Sequence, residues 1–221
     1  ILGADNPTFH ATIGWDWIPT MRGRNIGIWN DVTLTSTGAV TLQDPFVQTA
    51  LALPDTTQAT LTPEIIVKNH AGNPVEGVLS GKVGDITFEQ PVKLAANEEK
   101  TVVFDATQFP QLKMKNPRLW WPNGYGTPHL YDANFTFRLN NEISDQKDFK
   151  VGIRQMDFDE KNHVLNLYIN GRRFIGMGGN WGFSESNLNY RGREYETAVA
   201  YHAAMNFTMM RNWVGMIGDE E

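Results

Sequence analysis

The residues best suited to chemistry are indoles set beside carboxylates, amides and a guanidinium. Trp15-Asp16-Trp17 lies in a stretch bounded by Gly14 and Pro19. An indole face packs on the C–H surface of a sugar, and a carboxylate accepts two ring hydroxyls, so the trio suits carbohydrate recognition. The same indoles would also serve to plug the end of a β-sandwich. Trp120-Trp121-Pro122-Asn123-Gly124-Tyr125-Gly126 is a second aromatic segment. It reads either as a sugar platform or, more simply, as a proline-braced corner anchoring one strand on the next domain. Gly176-Met177-Gly178-Gly179-Asn180-Trp181 follows a strand pattern, and its glycines allow close approach of backbone or ligand. No Lys-Ser/Thr follows it, so it is not a phosphate loop. Arg211-Asn212-Trp213 comes directly after an apolar run. In parallel α/β architectures ligands sit beyond the carboxyl ends of strands, where Asn180 and Arg211 are both expected. A salt-bridged arginine and a packing indole are the structural alternatives there.

Other chemistries drop out. The chain has no cysteine among its 221 residues, which removes thiol catalysis, thiolate metal sites and disulfides. His10, His70, His129, His163 and His202 are scattered without ligand-like spacing, so neither a metal nor a cofactor is expected. No serine sits in a nucleophile elbow. The glycan-acceptor patterns at Asn134 and Asn206 fall in or beside strand patterns and read as chance. A net charge of -6 argues against nucleic acid as a partner. No apolar run approaches the ~18 residues of a membrane span, and no signal-peptide pattern opens the chain. Ile1 rather than Met suggests a processed product or an excised piece.

The elements that must position these residues are mostly strands. Val32 and Leu34 alternate with Thr33 and Thr35, and Thr37-Gly38 offers a turn before Val40 and Leu42. Leu61, Ile65 and Val67 share one side of a strand that Asn69 to Pro74 terminates. Val75 to Val83 and Ile86 to Leu94 flank Gly84-Asp85, and Thr101 to Phe104 is a shorter strand. Ala133, Phe135, Phe137 and Leu139 alternate cleanly, as do Phe149, Val151 and Ile153 beyond Asn140-Asn141. About seven short strands between Phe46 and Arg154 predict a sandwich closed by apolar packing alone. Asn170-Gly171 predicts a hairpin between 168 and 175. Tyr195, Ala198, Val199, His202 and Met205 predict a helix over 194–205, with Phe207 to Met210 a buried strand after it. A strand–helix–strand unit requires a parallel sheet that the remaining sequence does not complete, so truncation is expected.

The order of these segments resembles glycoside hydrolase family 2, in particular its β-mannosidase and exo-β-glucosaminidase branch. The resemblance rests on Trp15-Asp16-Trp17, Gly27-Ile28-Trp29, Trp120 through Gly126 and Gly152-Ile153-Arg154. Asn170-Gly171, Gly178-Gly179-Asn180-Trp181 and Asn206 through Trp213 complete it. It implies a mainly β chain: residues 1–44 as the end of a sugar-binding jelly roll, 45–153 as an immunoglobulin-like β-sandwich, and 154–221 as the start of a (β/α)8 barrel. Phe174–Met177 and Phe207–Met210 would be the first two barrel strands. A whole barrel takes about 250 residues, so roughly a quarter is expected.

The resemblance also implies a parent enzyme that hydrolyses terminal β-linked sugars with retention. Two glutamates about 5–5.5 Å apart would do the chemistry. By resemblance they belong to the fourth and seventh barrel strands, so no catalytic residue is expected in this chain, which alone would be inert. Trp15, Asp16, Asn180, Arg211 and Trp213 are the expected substrate-binding residues. Carbohydrate and the remainder of the barrel are the expected partners, and a periplasmic or secreted setting follows by family analogy only. Ile18 replaces the family's glycine before Pro19, and Val214 to Gly218 replaces a glycine run, which leaves the particular sugar open. The competing readings are a non-catalytic carbohydrate-binding or interaction module, and a scaffold whose parent has lost its glutamates.

Overall fold

The computed structural model describes residues 32–181 and 193–212, and these are mainly β. They fall into two compact units, one spanning Thr35–Ile175 and the other holding the described residues 32–34 and those from Gly176 onward. In the larger unit the strands are β1 (Val40–Ala52), β2 (Asp55–Asn69), β3 (Val75–Val83), β4 (Ile86–Leu94) and β5 (Glu99–Val103). They continue with β6 (Lys113–Lys115), β7 (Tyr131–Leu139) and β8 (Glu142–Val151). The hairpin strands β9 (Met156–Lys161), β10 (Val164–Ile169) and β11 (Arg172–Phe174) follow.

Strands β1, β2 and β5 form one antiparallel sheet in that order, with β6 also pairing on β2. A second antiparallel sheet has the order β4-β3-β7-β8. Alternation along each strand turns one side inward: Leu61, Ile65 and Val67 from β2, Phe88 and Val92 from β4, Phe135 and Phe137 from β7. These side chains belong to one core cluster. Phe104 lies at its centre, with ring centroids 4.6 Å from Phe88, 5.2 Å from Phe109 and 6.2 Å from Phe135. Tilted and edge-on aromatic pairs of this kind add about 0.5–1.5 kcal/mol each beyond area burial.

Two bulges set how the sheet edges meet. β1 gains one residue on β2 between Gln43 and Phe46, where Asp44 has φ 49°. Val40 and Leu42 are buried before the bulge, Val47 and Leu51 after it, so the inward parity flips. Ser144 is the extra residue of β8 opposite Phe137/Arg138. The bulge aims its hydroxyl and the next carboxylate at β1. Val40 N–H donates to Ser144 Oγ (2.9 Å), the Ser144 hydroxyl donates to Val40 O (2.8 Å), and Leu42 N–H donates to Asp145 Oδ2 (2.8 Å). Side chains thus occupy main-chain groups on the outer edge of β1 and blunt it against another strand.

The observed elements differ from expectation at several points. No strand forms at Val32–Thr35; Leu34 is fully exposed and Val32 largely so, and among the described residues no strand pairs with them. β1 is one strand through the expected 44/45 boundary, and eight strands rather than seven precede Arg154. Strands β9 to β11 cluster with the preceding sheets rather than beyond a break at 154. Phe174 ends the hairpin, paired with Leu167, so the first parallel strand is Gly178–Trp181 and not 174–177. The expected jelly-roll residues 1–31 and the polar stretch 184–192 lie outside the described residues.

Asp55 and Asp105 each accept the backbone N–H of the residue two positions on, Thr57 and Thr107. Hydrogen bonds from the threonine side chains first, and then from these backbone groups, hold both carboxyls below the usual aspartate value. A folded value below the unfolded one, about 3.9, stabilises the fold above that pH and loses the contribution as pH falls through the lower value. Thermal melts between pH 2 and 6 should show this loss, and Asp55→Asn with Asp105→Asn should flatten it. Removing the Asp145 carboxylate with Asp145→Ala strands the Leu42 N–H and should cost about 1–3 kcal/mol in urea unfolding.

Candidate functional site

The aromatic corner is built on three turns of backbone pairing. Trp120 bridges Pro128, Trp121 N–H donates to Thr127 O (3.2 Å), and Tyr125 N–H donates to Pro122 O (3.0 Å). Trp120 N–H also reaches Ile153 O at 2.9 Å, just past β8. The Arg154 guanidinium stands 4.4 Å from the Trp120 ring centre, a cation–π contact worth about 0.5–1 kcal/mol where exposed. A methyl group on Gly152 would press on Trp120 Cβ, Cγ and Cδ1 at 3.0–3.1 Å. Arg154 thus covers one face of this half-buried indole, which also lines the groove beside β1.

The hairpin turn locks onto the same corner. Asn170 and Gly171 both take positive φ, 51° and 75°, as a two-residue hairpin turn requires. Asn170 is buried, and each of its polar groups facing the corner has a partner. Its N–H donates to Gln155 O (2.8 Å), its Oδ1 accepts Gln155 N–H (2.8 Å), and its Nδ2 donates to Trp120 O (3.0 Å). Gln155 Oε1 in turn accepts Leu51 N–H at 2.7 Å. The Tyr125 hydroxyl accepts Ile175 N–H (2.9 Å) while its ring packs 5.3 Å from Phe174. The corner is a clamp joining the ends of β1 and β8 to strands β9 to β11. Sequence reasoning noted Asn170 only as a turn residue and passed over Gln155. An asparagine in a tight turn that follows a strand pattern was the one available signal.

The smaller unit carries the candidate site itself. Here β12 (Gly178–Trp181), helix α1 (Arg193–Ala204) and β13 (Met209–Asn212) form a strand–helix–strand unit. β13 begins two residues later than expected: the chain turns at Met205–Asn206, and Phe207 and Thr208 link that turn to the strand. The His202 ring packs 5.2 Å from Phe207, but Val199 and Met205 of the expected apolar helix face are exposed. β12 and β13 pair in parallel, with Gly178 opposite Met209 and Asn180 opposite Arg211. A side chain at Gly178 would collide with the Met209 carbonyl oxygen, so glycine is required for this approach. Met177 N–H donates to Thr208 Oγ1 and Thr208 N–H donates to Met177 O, both at 2.8 Å, which sets the register. Of the five expected binding residues, the structure brings Asn180 and Arg211 to matched positions near the carboxyl ends of two adjacent parallel strands. Trp15, Asp16 and Trp213 lie outside the described residues.

Asp159 accepts Asn166 Nδ2 (2.8 Å) and the Tyr168 hydroxyl (3.0 Å). The Asn166 bond first of all holds it below the usual aspartate value, as suits a structural carboxylate. Among the described residues no three His, Asp or Glu side chains gather as a metal site would need. A groove of about 450 Å³ lies between the second half of β1 and the end of β8, lined by Phe46, Trp120, Leu130, Phe149, Arg154 and Met156 among others.

Two antiparallel sheets around one core are thus followed by a unit whose parallel strand pair carries Asn180 and Arg211 near its carboxyl ends. The chain belongs to the glycosyl hydrolases family 2, whose family model matches residues 40–154. It is 35% identical over 179 residues to an exo-β-D-glucosaminidase of Streptomyces avermitilis, covering 80% of this chain and 20% of that enzyme. Against a mannosylglycoprotein endo-β-mannosidase of Lilium longiflorum it is 30% identical, over 99% of this chain and 24% of the relative. Among solved structures, the exo-chitosanase CsxA of Amycolatopsis orientalis in complex with PNP-β-D-glucosamine superposes with TM-score 0.79 and 28% identity, over 93% of this chain and 24% of that one. The chain thus spans only about a fifth to a quarter of the curated relatives it matches.

Asn170→Ala would leave Trp120 O and Gln155 N–H unpaired inside the clamp. A loss of about 1–3 kcal/mol in chemical denaturation is expected. A loss within error would mean that the clamp does not stabilise the fold.

Proposed function

We propose that this chain is part of a retaining, exo-acting β-glycosidase that releases terminal β-linked sugars of glucosaminide or mannoside type. The observation that carries the reading is the matched position of Asn180 and Arg211 near the carboxyl edge of a parallel strand pair, in a chain related to an exo-β-D-glucosaminidase. In this reading a sugar-binding jelly roll, expected over 1–44, leads into an immunoglobulin-like sandwich, expected over 45–153, and then a (β/α)8 barrel, with the first boundary falling before β1 and the second after β11.

The chemistry would be double displacement. One carboxyl protonates the glycosidic oxygen, and a carboxylate about 5–5.5 Å away attacks the anomeric carbon; water then releases the sugar. Arg211 would act on that pair electrostatically. A guanidinium beside a carboxylate favours the ionised form, which the nucleophile needs. Trp213 would floor the pocket and Trp15 and Asp16 would meet the terminal sugar, the indoles by stacking and the carboxylate by accepting hydroxyls. The glutamate pair itself belongs, in this reading, to polypeptide outside these 221 residues, so the 221-residue chain turns over nothing alone.

A polypeptide of the relatives' length carrying this sequence should hydrolyse p-nitrophenyl β-D-glucosaminide or β-D-mannoside, with the β-anomer appearing first by NMR. Arg211→Ala should lower kcat/KM by about 10²-fold or more, the scale set by misplacing a reacting group. Absence of turnover on every aryl β-glycoside, or release of the α-anomer, overturns the reading.

A further inference from the structure

The segment that leads into β13 is fixed at both of its ends. At the close of α1 the Asn206 N–H donates to Ala203 O and the Phe207 N–H to His202 O, both at 3.0 Å, while Asn206 takes φ 62°. Two such bonds around a left-handed residue make a Schellman stop, and the Phe207 ring against His202 is the side-chain contact that accompanies it. At the other end Thr208 holds both main-chain groups of Met177. Its hydroxyl accepts Met177 N–H and its own N–H donates to Met177 O, each at 2.8 Å. Met209 N–H reaches the same carbonyl at 3.3 Å. Phe207 alone lies between the helix stop and this latch. Arg211 stands three residues beyond Thr208, opposite Asn180.

We propose that Thr208 is a positioning residue for Arg211: its hydroxyl sets which residues of β12 and β13 pair, and so the face from which the guanidinium leaves the sheet. The inference rests on the reading that Arg211 keeps the nucleophile of a β-glycosidase ionised. The ladder begins at Gly178 opposite Met209, one residue after the Met177–Thr208 contact. Thr208 therefore acts where the pairing is chosen. A shift by one residue would move Arg211 to the opposite face and away from any carboxylate it serves. Valine at 208 has the same shape but no acceptor for the Met177 N–H, so the hydroxyl is the group on which the proposal turns.

A double-mutant cycle tests this in a polypeptide of the relatives' length, with p-nitrophenyl β-D-glucosaminide and β-D-mannoside as probes. Thr208→Val should lower kcat/KM by about 10-fold or more, the scale of a small misplacement. The loss should fall on kcat. The acid limb of the pH profile should move upward, as with Arg211→Ala, because a carboxylate without its guanidinium ionises less readily. Thr208→Ser should rescue both rate and profile. In an Arg211→Ala background Thr208→Val should cost nothing further, a coupling that a general loss of stability would not produce. If Thr208→Val does not fold, Thr208→Cys, a weaker acceptor of similar size, is judged by the same criteria. Additive losses, or a Thr208→Val enzyme with an unshifted pH profile, overturn the inference. No turnover by the unsubstituted polypeptide sinks the glycosidase reading and this inference with it, whereas turnover that needs Arg211 and ignores Thr208 sinks this inference alone.

Discussion

Everything in the larger unit depends on keeping two antiparallel sheets pressed on one aromatic core without a covalent staple. The chain has no cysteine, so dispersion and burial around Phe88, Phe104, Phe135 and Phe137 do the whole task. Such a core specifies register strictly. A one-residue slip of any strand would carry its inward set to solvent, at about 1.5–3 kcal/mol for each large apolar side chain exposed.

That strictness explains the two bulges. β1 borders β8 across the gap between the sheets, and the chain must leave the core face at Asp44 and return with opposite parity by Val47. Ser144 does the reciprocal on β8 and turns its own hydroxyl and the Asp145 carboxylate onto β1. Further along, Gln155 meets Leu51 in the same manner. The groove opens in the interval between these two sets of bonds. An edge is thus protected at both ends by polar side chains, while its middle is walled by Phe46, Phe149 and Met156.

How much of this the residues disclosed depends on whether local rules sufficed. The β3–β4 hairpin around Gly84-Asp85 and the turn at Asn170-Gly171 were legible because turn chemistry and strict alternation agree there. β1 was legible only at its start, Val40 and Leu42, because its apolar residues change parity at Asp44; the 44/45 boundary that the resemblance implied falls inside it. Val32 and Leu34 misled in the opposite direction: their alternation is strand-like, but among the described residues no strand pairs with them, and propensity alone forms no ladder. The start of the parallel strand was placed four residues early, since the hairpin claims Arg172–Phe174 for β10 before the chain can turn away. Asn162 and His163, both at positive φ, form a second tight turn that a pattern lacking glycine did not advertise. The positions of Asn180 and Arg211 near strand ends followed from glycine and strand context, whereas the bonds of Gln155 and Asn170 depend on contacts distant in sequence.

The parallel pair shows why small residues beside a candidate site deserve as much weight as the charged one. Arg211 can serve a carboxylate only if it projects from the correct side of its strand. With a side-chain period of two, a single-residue slip against β12 would send it to the other side. Four-residue strands hold register weakly by themselves. Here Met177 and Thr208 exchange two hydrogen bonds immediately before the ladder begins, and Gly178 lets the backbones close where any Cβ would meet the Met209 carbonyl. The register that positions Arg211 opposite Asn180 is therefore decided by a threonine hydroxyl and a missing methyl group.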